Sequence, residues 1–104
     1  KASLCEIKLK IYANYGQAIK IWNEIIIKWS RVVESDTFED RGDKEWVSFT
    51  LAEAHFGIGN SEEVEKYCKM GKTYMKGDFA LNSYLEQKER LILIINKFKN
   101  LNEV

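Results

Sequence analysis

Two neighbouring helical patterns joined by a short turn constrain this chain more than any other feature. In the first pattern, Phe49, Ala52 and Phe56 recur three and four positions apart. The second pattern has the same kind of spacing, in Val64, Tyr67, Cys68, Gly71 and Met75. Such spacing places these side chains on one helix face, and that face has to be buried. Because residues 57–61 leave only a short turn, the two helices are predicted to form an antiparallel hairpin.

Composition and charge narrow the class of protein. The 104 residues have the length of one domain. The 16 basic residues balance the 16 acidic residues, which argues against a nucleic-acid-binding surface. The longest apolar run, residues 91–95, is too short to span a membrane, and two cysteines are too few for a disulfide framework. We therefore expect a cytoplasmic protein without nucleic-acid or membrane partners and, since no initiator Met is present, a fragment of a larger protein.

The rest of the chain also has helical periodicity. Residues 2–12 and 17–34 form two helix patterns, and a break is predicted at residues 13–16 because Asn and Gly tolerate turn dihedrals. The sequence contains no Pro, which suits uninterrupted helices. We predict a single all-α domain of about five helices. Its parts are a first hairpin (1–34), an acidic loop (35–43), a second hairpin (44–76) and a closing helix (79–100).

Two polar residues are predicted to cap helices of the second hairpin. Asp43 precedes the helix that begins at Lys44, and Asn60 stands three residues before Glu63 in capping-box spacing. We expect both side chains to accept hydrogen bonds from N–H groups in the first turn of the helix that follows.

The turn of the second hairpin resembles a known repeat family. Residues 51–60 (LAEAHFGIGN) resemble the LGxAYxxLGD core of tetratricopeptide repeats, and residues 62–67 (EEVEKY) resemble the opening of that family's second helix. The departures are Val64 and Gly71 in place of alanines, Ser61 in place of a tyrosine, and a missing closing Pro. A first unit keeps mainly residues 14–18 and Trp22. The resemblance implies hairpins stacked as a short tetratricopeptide-like solenoid that serves protein–protein interaction.

A second resemblance concerns the end of the chain. Residues 77–94 (GDFALNSYLEQKERLILI) look like the charged, aliphatic helix that closes the tetratricopeptide-like, TRAF-binding regulatory region of apoptosis signal-regulating kinases and related bacterial proteins. That region is a partner-binding segment inside a multidomain signalling protein. The resemblance therefore implies a regulatory or scaffold role for this chain.

The candidate partner-binding residues lie on one face of the first helix of the second hairpin: Trp46, Phe49, Glu53 and Phe56. In a tetratricopeptide hairpin this helix lines the concave groove. Aromatic side chains in such a groove anchor peptide ligands. The alternative interpretation is that these side chains make core contacts with the preceding unit.

Residues with catalytic or metal-binding chemistry are few. His55 and Cys68 would need a third, orienting group to act as a nucleophile pair, and their helical positions indicate packing. With Cys5 they still fall short of a tetrahedral zinc set. The acidic residues of the 35–43 loop do not follow the ligand pattern of an EF-hand. We expect a non-enzymatic protein with no metal and no cofactor.

Three functional hypotheses follow from these patterns. The leading one is a protein or peptide interaction module within a signalling or scaffold protein. The second is a sensor that holds a small apolar ligand between Trp22, Trp29 and the last helix, and the third is a structural spacer. Apolar excess on the 17–34 helix and in the 91–95 run also predicts self-association. Charge at Ile26 or Ile94 is expected to weaken it.

Overall fold

The protein is all-helical throughout the part that the structure describes. A computed structural model describes the backbone of residues 4–102 and the side chains of residues 15–97. Its elements are helix α1 (Leu4–Glu34), a 3₁₀ helix (Phe38–Asp40), α2 (Lys44–Ile58), α3 (Ser61–Tyr74) and α4 (Phe79–Asn102). The described chain thus has four α-helices and one 3₁₀ turn where about five helices were expected.

The prediction of a first hairpin is wrong, because residues 4–34 form one continuous helix of 31 residues. Gly16 has no positive φ, and the expected break at residues 13–16 is helical. Asn and Gly lower helix propensity by up to about 1 kcal/mol each, and only Pro costs more. That penalty is small beside the long helical patterns on both sides of it.

The second hairpin is present, and its turn depends on one glycine. Gly59 has φ 86°, the left-handed conformation that a residue with a β-carbon adopts only with strain. Its N–H donates to the carbonyl of Phe56, and the Asn60 N–H donates to that of His55 at 2.9 Å. These bonds satisfy carbonyl groups at the end of α2 and reverse the chain into α3.

Helix α2 lies at the centre of the fold and touches the three other α-helices. Helix α1 runs antiparallel to it, since Trp22 lies against Gly57 and Trp29 against Trp46. Helix α3 packs beside α2. Helix α4 runs parallel to α2, since Tyr84 contacts Phe49 and Lys88 contacts Phe56. The largest fully buried side chains of α2 lie among these partners: Val47, Ser48 and Leu51. A helix with three neighbours has little free surface, so a large exposed side chain on α2 is a candidate for contact with a partner.

The predicted caps are absent. The Asp43 carboxylate pairs with the guanidinium of Arg41 at 2.8 and 2.9 Å, and this interaction lowers the pKa of Asp43. The Asn60 side chain lies 3.2 Å from Nδ1 of His55 and does not cap α3. The acidic loop also contributes to the core, because Phe38 is buried there and contacts the Tyr74 ring.

Candidate functional site

The four predicted site residues do not share one environment. Trp46 is 50% exposed and Phe49 only 4%, while Glu53 and Phe56 are half-buried. Phe49 is a core residue: its ring stacks on Tyr84 with centroids 5.4 Å apart. Its other neighbour is Gly71 of α3, where a β-carbon would come within 2.6 Å of the ring.

Trp46, Phe49 and Glu53 nevertheless line one recess between α2 and α4, which we call the α2–α4 groove. Its volume is about 210 Å³. The other lining residues are Thr50 from α2 and Ala80, Ser83, Tyr84 and Gln87 from α4. Ala80 and Ser83 are small, and this leaves open space beside the Phe49–Tyr84 stack.

Phe56 belongs to a different recess, at the turn of the hairpin. The Lys88 ammonium lies 5.3 Å from the centre of the Phe56 ring, a cation–π contact between α4 and α2. This second recess is about 240 Å³ and is completed by residues of the turn and of α3: Gly59, Asn60, Ser61 and Val64. The candidate set is therefore divided, with three members at the α2–α4 groove and one at the turn.

Trp46 is held in place on one side and exposed on the other. Its ring meets Trp29 of α1 edge to face, with centroids 5.1 Å apart and an interplanar angle of 82°. Trp29 is itself contacted by Lys28 and Arg41, whose charged groups lie 4.9 and 5.7 Å from its ring centre. Such contacts restrict the indole of Trp46, so its exposed face is ordered in advance of any binding.

Glu53 is a half-buried carboxylate without a partner in the described part of the chain. Burial raises its pKa, and the structure gives it neither a hydrogen bond nor an ion pair there. The carboxylates that do form ion pairs lie on the 35–43 loop and on α3: Glu39, Asp43, Glu63 and Glu65. A desolvated carboxylate destabilises the fold unless a donor or a cation reaches it.

Tyr84 contributes a second buried polar group without a hydrogen-bond partner among the described residues, beside the groove. The residue is 5% exposed, and its hydroxyl makes no hydrogen bond within the described part of the chain. Burial raises the pKa of Tyr84, and the neighbouring Cys68 thiol, a weak partner, raises it further. Both polar groups beside the Phe49 ring therefore lack strong partners.

The residues contributed by α4 were missed from the sequence. Ala80, Ser83, Tyr84 and Gln87 follow helical spacing, which was visible, but periodicity does not indicate which neighbouring helix they face. Thr50 could have been found, since it lies four positions from Trp46 and three from Glu53 on the same helix face.

His55 and Cys68 are placed as packing residues. His55 is buried, its ring stacks on Tyr67 at 5.6 Å, and burial lowers its pKa. Cys68 is half-buried and free, whereas Cys5 lies outside the described side chains. Within residues 15–97 no three His, Cys, Asp or Glu residues are grouped so that they could hold a metal ion.

Trp22, one of the residues predicted to hold a small apolar ligand, packs against other side chains of the protein. Its indole lies over Gly57, where a β-carbon would be 2.5 Å away, and it clusters with Ala54 and Leu91. The space between α1, α2 and α4 at this level is therefore filled by protein side chains.

None of the helices in the described region combines the length and the apolar content that crossing a membrane requires. Searches against protein-family models, curated proteins and solved structures find no match to this chain, so the site is interpreted from its own residues.

Proposed function

We propose that this chain is a non-enzymatic protein–protein interaction module and that its partner binds at the α2–α4 groove. The observation that carries the proposal is Trp46, a large and ordered aromatic side chain half exposed beside an open recess. Trp is among the residues most enriched where interfaces concentrate their binding energy. Most of α2 is covered by other helices, and this surface is one of the parts of α2 that stay open to a partner.

The hairpin supports a tetratricopeptide-like interpretation of this module. In that family the first helix of each hairpin lines the binding groove, and here α2 is the first helix of the α2–α3 hairpin. Ala52 is fully buried, as the small position between paired helices should be. We extend the proposal to a cytoplasmic signalling or scaffold protein on the resemblance of residues 77–94 alone.

A second copy of this chain is the other partner we propose. Exposed aliphatic side chains lie on the outer surfaces of α1 and α4: Ile21, Ile27, Leu85, Ile92, Leu93 and Ile94. Leu93 is 63% exposed and Ile94 47%, so burial against another surface would remove appreciable apolar area from water.

Sedimentation over a range of concentrations tests the self-association. Ile94→Glu should shift the equilibrium to monomer, whereas Asn96→Glu adds the same charge to an exposed polar position of α4 and should not. A strict monomer at high concentration would contradict the proposal. Ile26 is a poor test position, because it packs against the core around Phe49 and the core around Trp22, and a charge there would destabilise the protein itself.

Thr50→Arg tests the groove itself. An arginine at this half-buried lining position would fill the recess and place its guanidinium near Glu53. Asn82→Arg, at an exposed position of α4, is the matched control. Proteins captured by the parent and by the control should be lost with Thr50→Arg. Identical capture by all three would show that the groove is not the binding site.

A further inference from the structure

We infer that the α2–α4 groove selects a basic side chain, a Lys or Arg presented by the partner protein. This inference rests on the proposed function and names the chemistry that the groove recognises. It follows from the charge, the aromatic wall and the size of the recess.

The charge of the groove is negative and unbalanced. Glu53 is the only ionisable carboxylate among the lining residues, and none of them is Lys or Arg. Thr50, Ser83 and Gln87 add hydroxyl and amide oxygens that accept hydrogen bonds. A Lys ammonium brings three donors and an Arg guanidinium five, so either one matches a site rich in acceptors.

The aromatic wall of the groove also favours a cation. Trp is the aromatic side chain that attracts cations most strongly. The protein already places ammonium groups over rings elsewhere: Lys28 on Trp29 at 4.9 Å, Lys44 on Tyr74 at 4.7 Å and Lys88 on Phe56 at 5.3 Å. Across the described side chains no cation lies over Trp46, so its exposed face is open to one from outside.

The size of the groove limits the occupant to one side chain. Its 210 Å³ corresponds to the volume of roughly seven water molecules. That space admits the long stem and head group of Lys or Arg and excludes a whole helix. The methylene stem would lie along Trp46, and the charged head would reach Glu53.

Acidic and apolar side chains fit the groove less well, because of the Glu53 carboxylate. An acidic side chain would be repelled by Glu53. An apolar side chain of equal length would cover Glu53 and leave it desolvated without a partner, which is costly. A cation offsets the burial of this carboxylate more fully than a neutral donor does, because it supplies both hydrogen bonds and the opposite charge. Selectivity for charge therefore follows from the position of Glu53.

Three matched peptides test the inference in NMR titrations of the whole chain. They are acetyl-Ala-Leu-Lys-Leu-Ala-amide and the versions with norleucine or Glu at the centre. The lysine peptide should shift the Trp46 indole N–H signal and bind about tenfold tighter than the norleucine peptide. The glutamate peptide should bind more weakly than both.

The variant Glu53→Gln separates charge recognition from apolar contact. It should lose most of the preference for the lysine peptide and keep only the part that comes from the Trp46 ring, whereas Glu86→Gln, at an exposed position of α4, should keep the tenfold preference. Circular dichroism and thermal melting of both variants establish that they are folded.

Two results would overturn the inference without deciding the proposed function. One is equal binding of the lysine and norleucine peptides by the parent chain; the other is no binding of the lysine peptide at millimolar concentration. The proposed function is decided separately, by the capture experiment with Thr50→Arg, in which the arginine fills the recess whichever side chain the partner presents.

Discussion

The sides of α2 that face α1 and α3 differ sharply from the side that borders the α2–α4 groove. Towards α1 and α3, aromatic rings lie directly against glycines, Trp22 against Gly57 and Phe49 against Gly71, with no room for a β-carbon. Along the groove, Trp46 is half exposed and Glu53 has no partner among the described residues. One helix thus combines dense packing with an unfilled surface.

The difference shows how a small domain separates stability from binding. Dense contacts on two sides hold α2 rigidly, since core packing tolerates little change in volume. The remaining side carries groups that are costly to the isolated protein, an exposed indole and a desolvated carboxylate. A rigid support makes such groups useful, because a partner does not have to order them on binding.

The largest expected effect on stability comes from replacing Phe49, which is buried, and not Trp46, which is half exposed on the same helix. Phe49→Ala should cost about 3–5 kcal/mol in the free energy of unfolding, because it leaves a cavity between Gly71 and Tyr84. Trp46→Ala loses mainly the edge contact with Trp29 and should cost roughly 1 kcal/mol. Urea denaturation measures both values. Equal costs would mean that Phe49 is not the core residue and Trp46 not the surface one.

A matched pair of alanines tests the packing on either side. Ala52 is fully buried, so Ala52→Leu should cost roughly 1–3 kcal/mol by overpacking. Ala80 borders the groove, where space is available, and Ala80→Leu should change stability by about 0.5 kcal/mol or less. Thermal melting compares the two variants. A parent-like melting temperature for Ala52→Leu would contradict the close contact at that position.

Two glycines should respond to the same substitution with opposite signs. Gly57→Ala forces a β-carbon against the Trp22 ring and should cost about 1 kcal/mol net, after the gain in helix propensity is subtracted. Gly16 lies within α1 with open space around it, so Gly16→Ala should stabilise by roughly 0.5–1 kcal/mol. Destabilisation by Gly16→Ala would mean that α1 bends or breaks at this residue.

The smallest effect concerns Glu53 and depends on pH. Its folded-state pKa is raised above the usual value of 4.5, so the folded protein loses stability as pH rises through this range. Glu53→Gln removes the charge and should raise the melting temperature at pH 7. At pH 3 both chains are neutral at this position, and the gain should vanish. An equal gain at both pH values would show that the carboxylate is not desolvated.

The all-α class and the α2–α3 hairpin were predicted correctly from the sequence, whereas the side-chain caps of α2 and α3 were not. Two local signals indicated this hairpin: the helical spacing of Phe49, Ala52 and Phe56, and the glycine at position 59. The structure has both the helix and the turn at that glycine. The capping predictions failed because other side chains compete with the helix N–H groups for these hydrogen bonds. Asp43 bonds to Arg41, and Asn60 lies beside His55.

The first hairpin failed for a related reason. A Gly or an Asn makes a turn available without requiring it, and at residues 13–16 the backbone continues as helix. At Gly59, by contrast, a positive φ and the burial of both adjoining helix faces depend on the reversal. The two junctions have similar residues, but of the two only Gly59 has the positive φ of a chain reversal.

Local sequence by itself determined that this chain is helical, where α2 turns into α3, and that Trp46, Phe49 and Glu53 share a helix face. Tertiary structure alone decided that α4 covers Phe49 with Tyr84 and leaves Trp46 and Glu53 at an open edge. The reason is physical. Helical periodicity specifies which side chains lie together on a face, whereas the helix that covers the face is chosen by contacts between residues far apart in the chain.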